Sequence, residues 1–150
     1  VVAAGNEVEN HSWAHANFGR RDGATQRADL RRTSDLLARL SGRRPCFFRP
    51  PYGSMNSATV PAAAAERLTT TMWDVDTLDW AAGTRVNQRG YLGIRARART
   101  TLPHPMVLLH DGGGQRPNMV HELDGIIDWY AGHGYVFIGL DGRTAEEASN

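Results

Sequence analysis

The sequence predicts an α/β fold built on parallel β-strands. Two observations carry that reading. Short apolar runs alternate with longer amphipathic ones about four times along the chain, and parallel neighbours need helical crossovers of this kind. The polar, chemistry-bearing clusters all follow the apolar runs, and in such folds the functional loops sit at the carboxyl ends of the strands.

The elements read in order as follows. Val1 to Ala4, closed by Gly5, reads as the last turn of a helix whose start is not in the sequence. A short strand over Asn6 to Asn10 comes next. Thr25 to Leu40 carries Leu36, Leu37 and Leu40 at helical spacing and stops before Gly42. Cys46 to Phe48 is a buried strand. Asn56 to Leu68 is Ala-rich and helical, with Pro61 tolerated only in its first turn. Thr69 to Val75 is β-branched and reads as a strand. Gln88 to Thr101 is a weaker helix, because Gly90 and Gly93 oppose it. Met106 to Leu109 is a strand. Pro117 to His133 is the clearest helix, with Val120, Leu123, Ile127 and Tyr130 on one face and Gly134 closing it. Tyr135 to Ile138 is the last strand.

Composition bounds the function. The chain has 150 residues, 41% hydrophobic and 22% charged, which suits one globular domain. Its 17 basic residues are all Arg and face 16 acidic ones, a net charge of +1. Nucleic-acid binders need a clear basic surplus, so that class is disfavoured. No apolar run approaches the ~20 residues that span a bilayer, so this segment holds no membrane span. The lone Cys46 makes no internal disulfide. Between Arg20 and Arg49 nine Arg meet three Asp (Asp22, Asp29 and Asp35). This reads as a solvated helix face, with an anionic polymer surface as the alternative.

Four clusters carry chemistry, and equivalent strand ends would bring them to one face. His11 and His15 are four apart, and a helical backbone there would put both imidazoles on one side to share a metal. Two ligands do not make a site, and Glu7 and Glu9 supply no convincing third. Arg49 precedes Pro50 and Pro51 at a strand end, where a fixed guanidinium can hold a carboxylate bidentately. The same prolines can fix the N–H of Tyr52 as an oxyanion donor. Asp79 and His110 can form an orienting carboxylate and a general acid or base that favours the protonated ring. Asp76 and Asp111 rival the carboxylate, and His104, His121 and His133 rival the imidazole. Trp80 is a pocket wall or a core residue. No Gly-x-Ser-x-Gly occurs, against a serine hydrolase.

In order, His11-Ser12-x-x-His15, Arg49-Pro50-Pro51-Tyr52-Gly53, Asp76-Thr77-x-Asp79-Trp80 and Leu108-x-His110 resemble the motifs of the polysaccharide deacetylases, carbohydrate esterase family 4 with the NodB homology domain. The resemblance spans nearly the whole chain. It implies a distorted (β/α) barrel of the NodB type, here a C-terminal portion of one catalytic domain over residues 1–150. It implies His11 and His15 as ligands of a divalent metal, zinc first, with cobalt or manganese as alternates. It implies Arg49 as partner of the catalytic base, Tyr52 N–H in the oxyanion hole, and His110 as general acid tuned by Asp79. It implies Trp80 and Leu108 as lining of the acetyl pocket. The implied substrate is an acetylated polysaccharide such as peptidoglycan, chitin oligomers or xylan, and the implied location is secreted or cell-surface.

The family's opening aspartate pair, its base and third metal ligand, has no counterpart: no Asp-Asp occurs in the sequence. The expectation is therefore that the first units are missing and that this chain by itself has little activity. A non-catalytic carbohydrate-binding relative or an inactive fragment is the alternative.

Overall fold

The computed structural model describes residues 2–144 and 147. The chain forms two compact units, Val1–Met72 with Phe137–Asn150, and Trp73–Val136. Both mix helix with short parallel strand pairs, the α/β arrangement the alternation predicts.

In the first unit, helix α1 (Gly23–Ser41) starts where the Asp22 carboxylate accepts the Thr25 N–H, and ends at Gly42 in the left-handed region, φ 75°. Its buried residues are Gln26, Leu30, Thr33 and Ser34, not the predicted Leu36, Leu37 and Leu40. Leu40 is 75% exposed. The inner face is largely polar because most of its groups are hydrogen-bonded: the Gln26 NH2 donates to the Phe18 and Arg21 carbonyls, which offsets part of the desolvation cost, although its Oε1 accepts no hydrogen bond among the described residues. The apolar core is Phe18, Leu30, Phe48, Ala62, Ala63 and Leu68, with the Phe18 and Phe48 rings 5.0 Å apart.

Strand β1 (Phe47–Phe48) pairs in parallel with β2 (Thr69–Thr70), Phe47 opposite Thr69. On its other side β1 meets Asn10 alone. The strand predicted over Asn6 to Asn10 is thus one bridge. The Glu9 carboxylate takes the Cys46 and Phe47 N–H groups, both at 2.8 Å, in place of a longer ladder. Helix α2 (Thr59–Ala65) is shorter than predicted. Asn56 stays outside it as a turn, its carboxamide oxygen accepting the Ala58 N–H, and Arg67 at φ 62° stops it. Pro61 lies in its first turn, as predicted.

In the second unit, β3 (Val75–Asp76) pairs in parallel with β4 (Val107–Leu108). The predicted strand Thr69 to Val75 is therefore two strands in two sheets. Helix α3 (Gln88–Ala98) is capped by Asn87. Helix α4 (Pro117–Gly132) begins on Pro117, the helical position where proline fits best. Ile94, Ala98, Met119, Ile126 and Tyr130 form the core between them. The buried face of α4 holds Met119, Glu122, Ile126 and Tyr130. Val120 and Ile127, predicted to face the core, are 62% and 42% exposed. Glu122 belongs inside because Arg95 neutralises it with two hydrogen bonds.

The predicted final strand, Tyr135 to Ile138, does not form. Val136, Phe137 and Ile138 are all more than half exposed. No helix is long and apolar enough to cross a membrane among the described residues.

Candidate active site

The first unit assembles His11, His15, Arg49 and Tyr52. The histidine loop is not helical. Ser12 at φ 70° and His15 at φ 50° bend it instead, and the two imidazoles still lie edge to face, centroids 4.9 Å apart. The loop is anchored from Asn10, which is 1% exposed. The Asn10 carboxamide accepts the Ser12 N–H at 2.9 Å and donates to the Leu30 carbonyl and the Ser34 hydroxyl.

His11 Nδ1 lies 2.5 Å from the Arg49 carbonyl. A carbonyl only accepts, so Nδ1 carries the proton and Nε2 presents a lone pair. That tautomer, fixed by a backbone carbonyl, is the usual support of a metal-binding histidine. The pair therefore fits the histidine half of a divalent-metal site. Among the described residues no third His, Cys, Asp or Glu joins it.

The Arg49 guanidinium is half-buried and has no carboxylate partner among the described residues, and burial alone pulls it below its ordinary pKa. Pro50 precedes a tight turn in which Tyr52 adopts φ 60°. The Gly53 and Ser54 N–H groups close the turn on the Pro50 and Pro51 carbonyls, while the Tyr52 N–H has no acceptor among the described residues. The Tyr52 ring is exposed and packs edge-on to His15 at 4.6 Å.

The second unit assembles Asp79 and His110. Leu78 at φ 52° turns the chain into a short 3-10 segment, Asp79–Ala81. Asp79 is 3% exposed. Its Oδ2 accepts the His110 backbone N–H at 2.7 Å, and its Oδ1 faces His110 Nδ1 at 2.9 Å. The ring is thus held with its proton on Nδ1. Thr77 is fully buried and donates to the Leu108 carbonyl at 2.8 Å, tying the Asp79 turn to the end of β4, two residues before His110.

The rivals take other partners. Asp76 caps the Leu78 N–H. His121 stacks on Tyr91 and His133 on Trp129. Asp111 and His104 are exposed. Trp80 is 54% exposed, whereas Leu108 is buried.

Sequence reasoning missed Asn10 and Asn118, and read Thr77 only as a member of its motif, with no role of its own. Asn10 directly precedes the histidine motif it supports. Asn118 is 1% exposed. It holds the loop after Trp80 through the Ala82 and Arg85 carbonyls and the Asn87 N–H. A buried Asn among apolar neighbours, as in Pro117-Asn118-Met119, was the available signal.

Residues 1–72 match the polysaccharide deacetylase family model. Over 144 residues the chain is 31% identical to a peptidoglycan-N-acetylglucosamine deacetylase of Bacillus cereus, covering 93% of this chain and 50% of that protein. A family 4 carbohydrate esterase from Streptomyces lividans, solved with acetate, superposes at TM-score 0.80 with 29% identity, covering 95% of this chain and 71% of that one. A family 4 pseudoenzyme from Bacillus anthracis superposes at TM-score 0.76 with 27% identity, covering 90% and 45%. The chain spans half or less of the first curated relatives it matches.

Proposed function

The chain belongs to the polysaccharide deacetylase family, and from that premise we propose that the whole protein removes acetyl groups from N- or O-acetylated polysaccharide, peptidoglycan and chitin oligomers first. The observation that supports it most is the buried Asp79 carboxylate holding both His110 N–H groups.

His110 is the general acid. With its Nδ1–H donating to the Asp79 carboxylate, it uses Nε2 to protonate the leaving amine or alkoxide. The Tyr52 N–H donates to the oxyanion that develops on the acetyl carbonyl oxygen. Trp80 and Leu108 wall the acetyl methyl. His11 and His15 hold a divalent metal, zinc with cobalt or manganese as alternates, which when bound supplies Lewis acidity toward a carbonyl and acidifies water. Arg49 fixes the carboxylate that serves as base. Among the described residues no third ligand joins the two histidines, so this 150-residue chain tested by itself is expected to have little activity and weak metal affinity. A secreted or cell-surface location follows from a polymer substrate outside the cell.

The test is acetate release from N-acetylglucosamine oligomers and acetylated xylan by the whole protein. Release from either supports the reading. A second reading, carbohydrate binding without turnover, is favoured by the pseudoenzyme neighbour and by the two-histidine donor set. Oligosaccharide binding with no acetate released would establish it.

A further inference from the structure

The histidine loop is bent at two non-glycine residues with positive φ, Ser12 and His15. Such a conformation persists only where the surroundings over-determine it. Asn10 holds one end. A second hold comes from α1 and touches neither histidine. Asp29 Oδ1 accepts the Trp13 N–H at 2.8 Å. One turn further on, the Arg32 guanidinium lies over the Trp13 ring, 3.6 Å from its centroid. Trp13 sits between the two histidines and remains 42% exposed, so its own burial does not hold the loop.

Neither charge is used elsewhere. Asp29 stands on a helix with Arg27, Arg31 and Arg32, yet makes no ion pair among the described residues, and Arg32 makes none either. Arg27 and Arg31 instead turn to Glu66. The free ends of Asp29 and Arg32 are thus spent on one loop residue, from two positions that share a helix face.

We propose that Asp29 and Arg32 are positioning residues that clamp the Trp13 backbone and ring, and so hold the His11–His15 loop in the bent form that brings its two imidazoles together. The consequence for metal affinity rests on the reading of that pair as metal ligands; the clamp itself does not.

The experiment is NMR on the 150-residue chain, first without metal and then with added zinc. It follows the contact between the His11 and His15 rings, exchange of the Trp13 amide, and the zinc response of both imidazoles. Asp29→Ala is expected to lose the ring contact, speed Trp13 exchange about tenfold and weaken zinc binding about tenfold. Asp29→Asn keeps an acceptor for the Trp13 N–H and is expected to restore all three. Arg32→Ala is expected to weaken the ring contact while α1 stays folded. Persistence of the ring contact and of Trp13 protection in both alanine variants would overturn the proposal. If Asp29→Ala unfolds, Arg32→Ala decides, since it deletes only an exposed contact. Because the two histidines alone bind metal weakly, zinc is added to millimolar excess; a wild-type chain that shows the ring contact but no zinc response even then would reject the metal reading and leave the clamp to be judged on the metal-free signals.

Discussion

The carboxylate of Asp79 takes both N–H groups of His110, the backbone one at 2.7 Å and the ring Nδ1 at 2.9 Å. One buried side chain thereby sets the position and the tautomer of an imidazole that is itself partly open to solvent. An imidazole held this way is suited to deliver a proton from Nε2.

The first prediction concerns that pair. Asp79→Ala releases the ring and leaves the His110 N–H without its acceptor. In the whole protein, kcat for acetate release is expected to fall about a hundredfold or more, the usual worth of a positioned acid, with a smaller change in KM. Steady-state kinetics beside His110→Ala check it. Equal activity in Asp79→Ala and wild type would remove His110 from the chemistry.

Arg49 separates function from stability. Its half-buried guanidinium has no carboxylate partner among the described residues, so truncation breaks no ion pair. Arg49→Ala is expected to leave the melting temperature of the chain unchanged or raised, while abolishing acetate release by the whole protein. Thermal denaturation and the acetate assay, read together, check it. A large loss of stability would show that Arg49 serves the fold.

Glu66 makes the chain sensitive to acid. Arg31 and Arg27 hold its carboxylate down at about 2, against an ordinary value of 4.5. The folded state therefore binds the proton more weakly than the unfolded one, and stability present above pH 4.5 is lost as pH falls toward 2. Glu66→Gln removes this contribution. Denaturant melts at several pH values should show a flatter acid limb for the variant and convergence with wild type near pH 2.

The buried face of α4 can be tested directly. Ile126 is 5% exposed and Val120 62%. Ile126→Ala should cost about 2–5 kcal/mol, and Val120→Ala within about 0.5 kcal/mol, by chemical denaturation. The reverse order would restore the face predicted from apolar spacing.

Much of the fold was legible because helix ends are written locally. Gly42 closes α1 and Pro117 begins α4, as read, whereas α1 starts two residues before the Thr25 read for it, capped by Asp22. The helix faces were less legible. Apolar spacing cannot see Gln26, Ser34, Asn118 or Glu122, which are buried because specific partners meet their polar groups, in Gln26 the NH2 only. Strand lengths were overread for the same reason: Glu9 replaces a neighbouring strand with a carboxylate. At the site, spacing alone left Asp79 and His110 among several possible pairs, and the motif order singled them out. Spacing joins His11 and His15 only if the backbone between them is helical. They meet on a bent loop, because positive φ at Ser12 and His15 is invisible to residue spacing.

The central claim is that His11 and His15 serve a metal-dependent deacetylation. The most direct measurement is acetate release from N-acetylglucosamine oligomers by the whole protein, with and without a chelator, for wild type and His11→Ala. Chelation is expected to abolish release, zinc to restore it in wild type, and His11→Ala to stay inactive under both conditions. Release that survives chelation, or that survives His11→Ala, would contradict it.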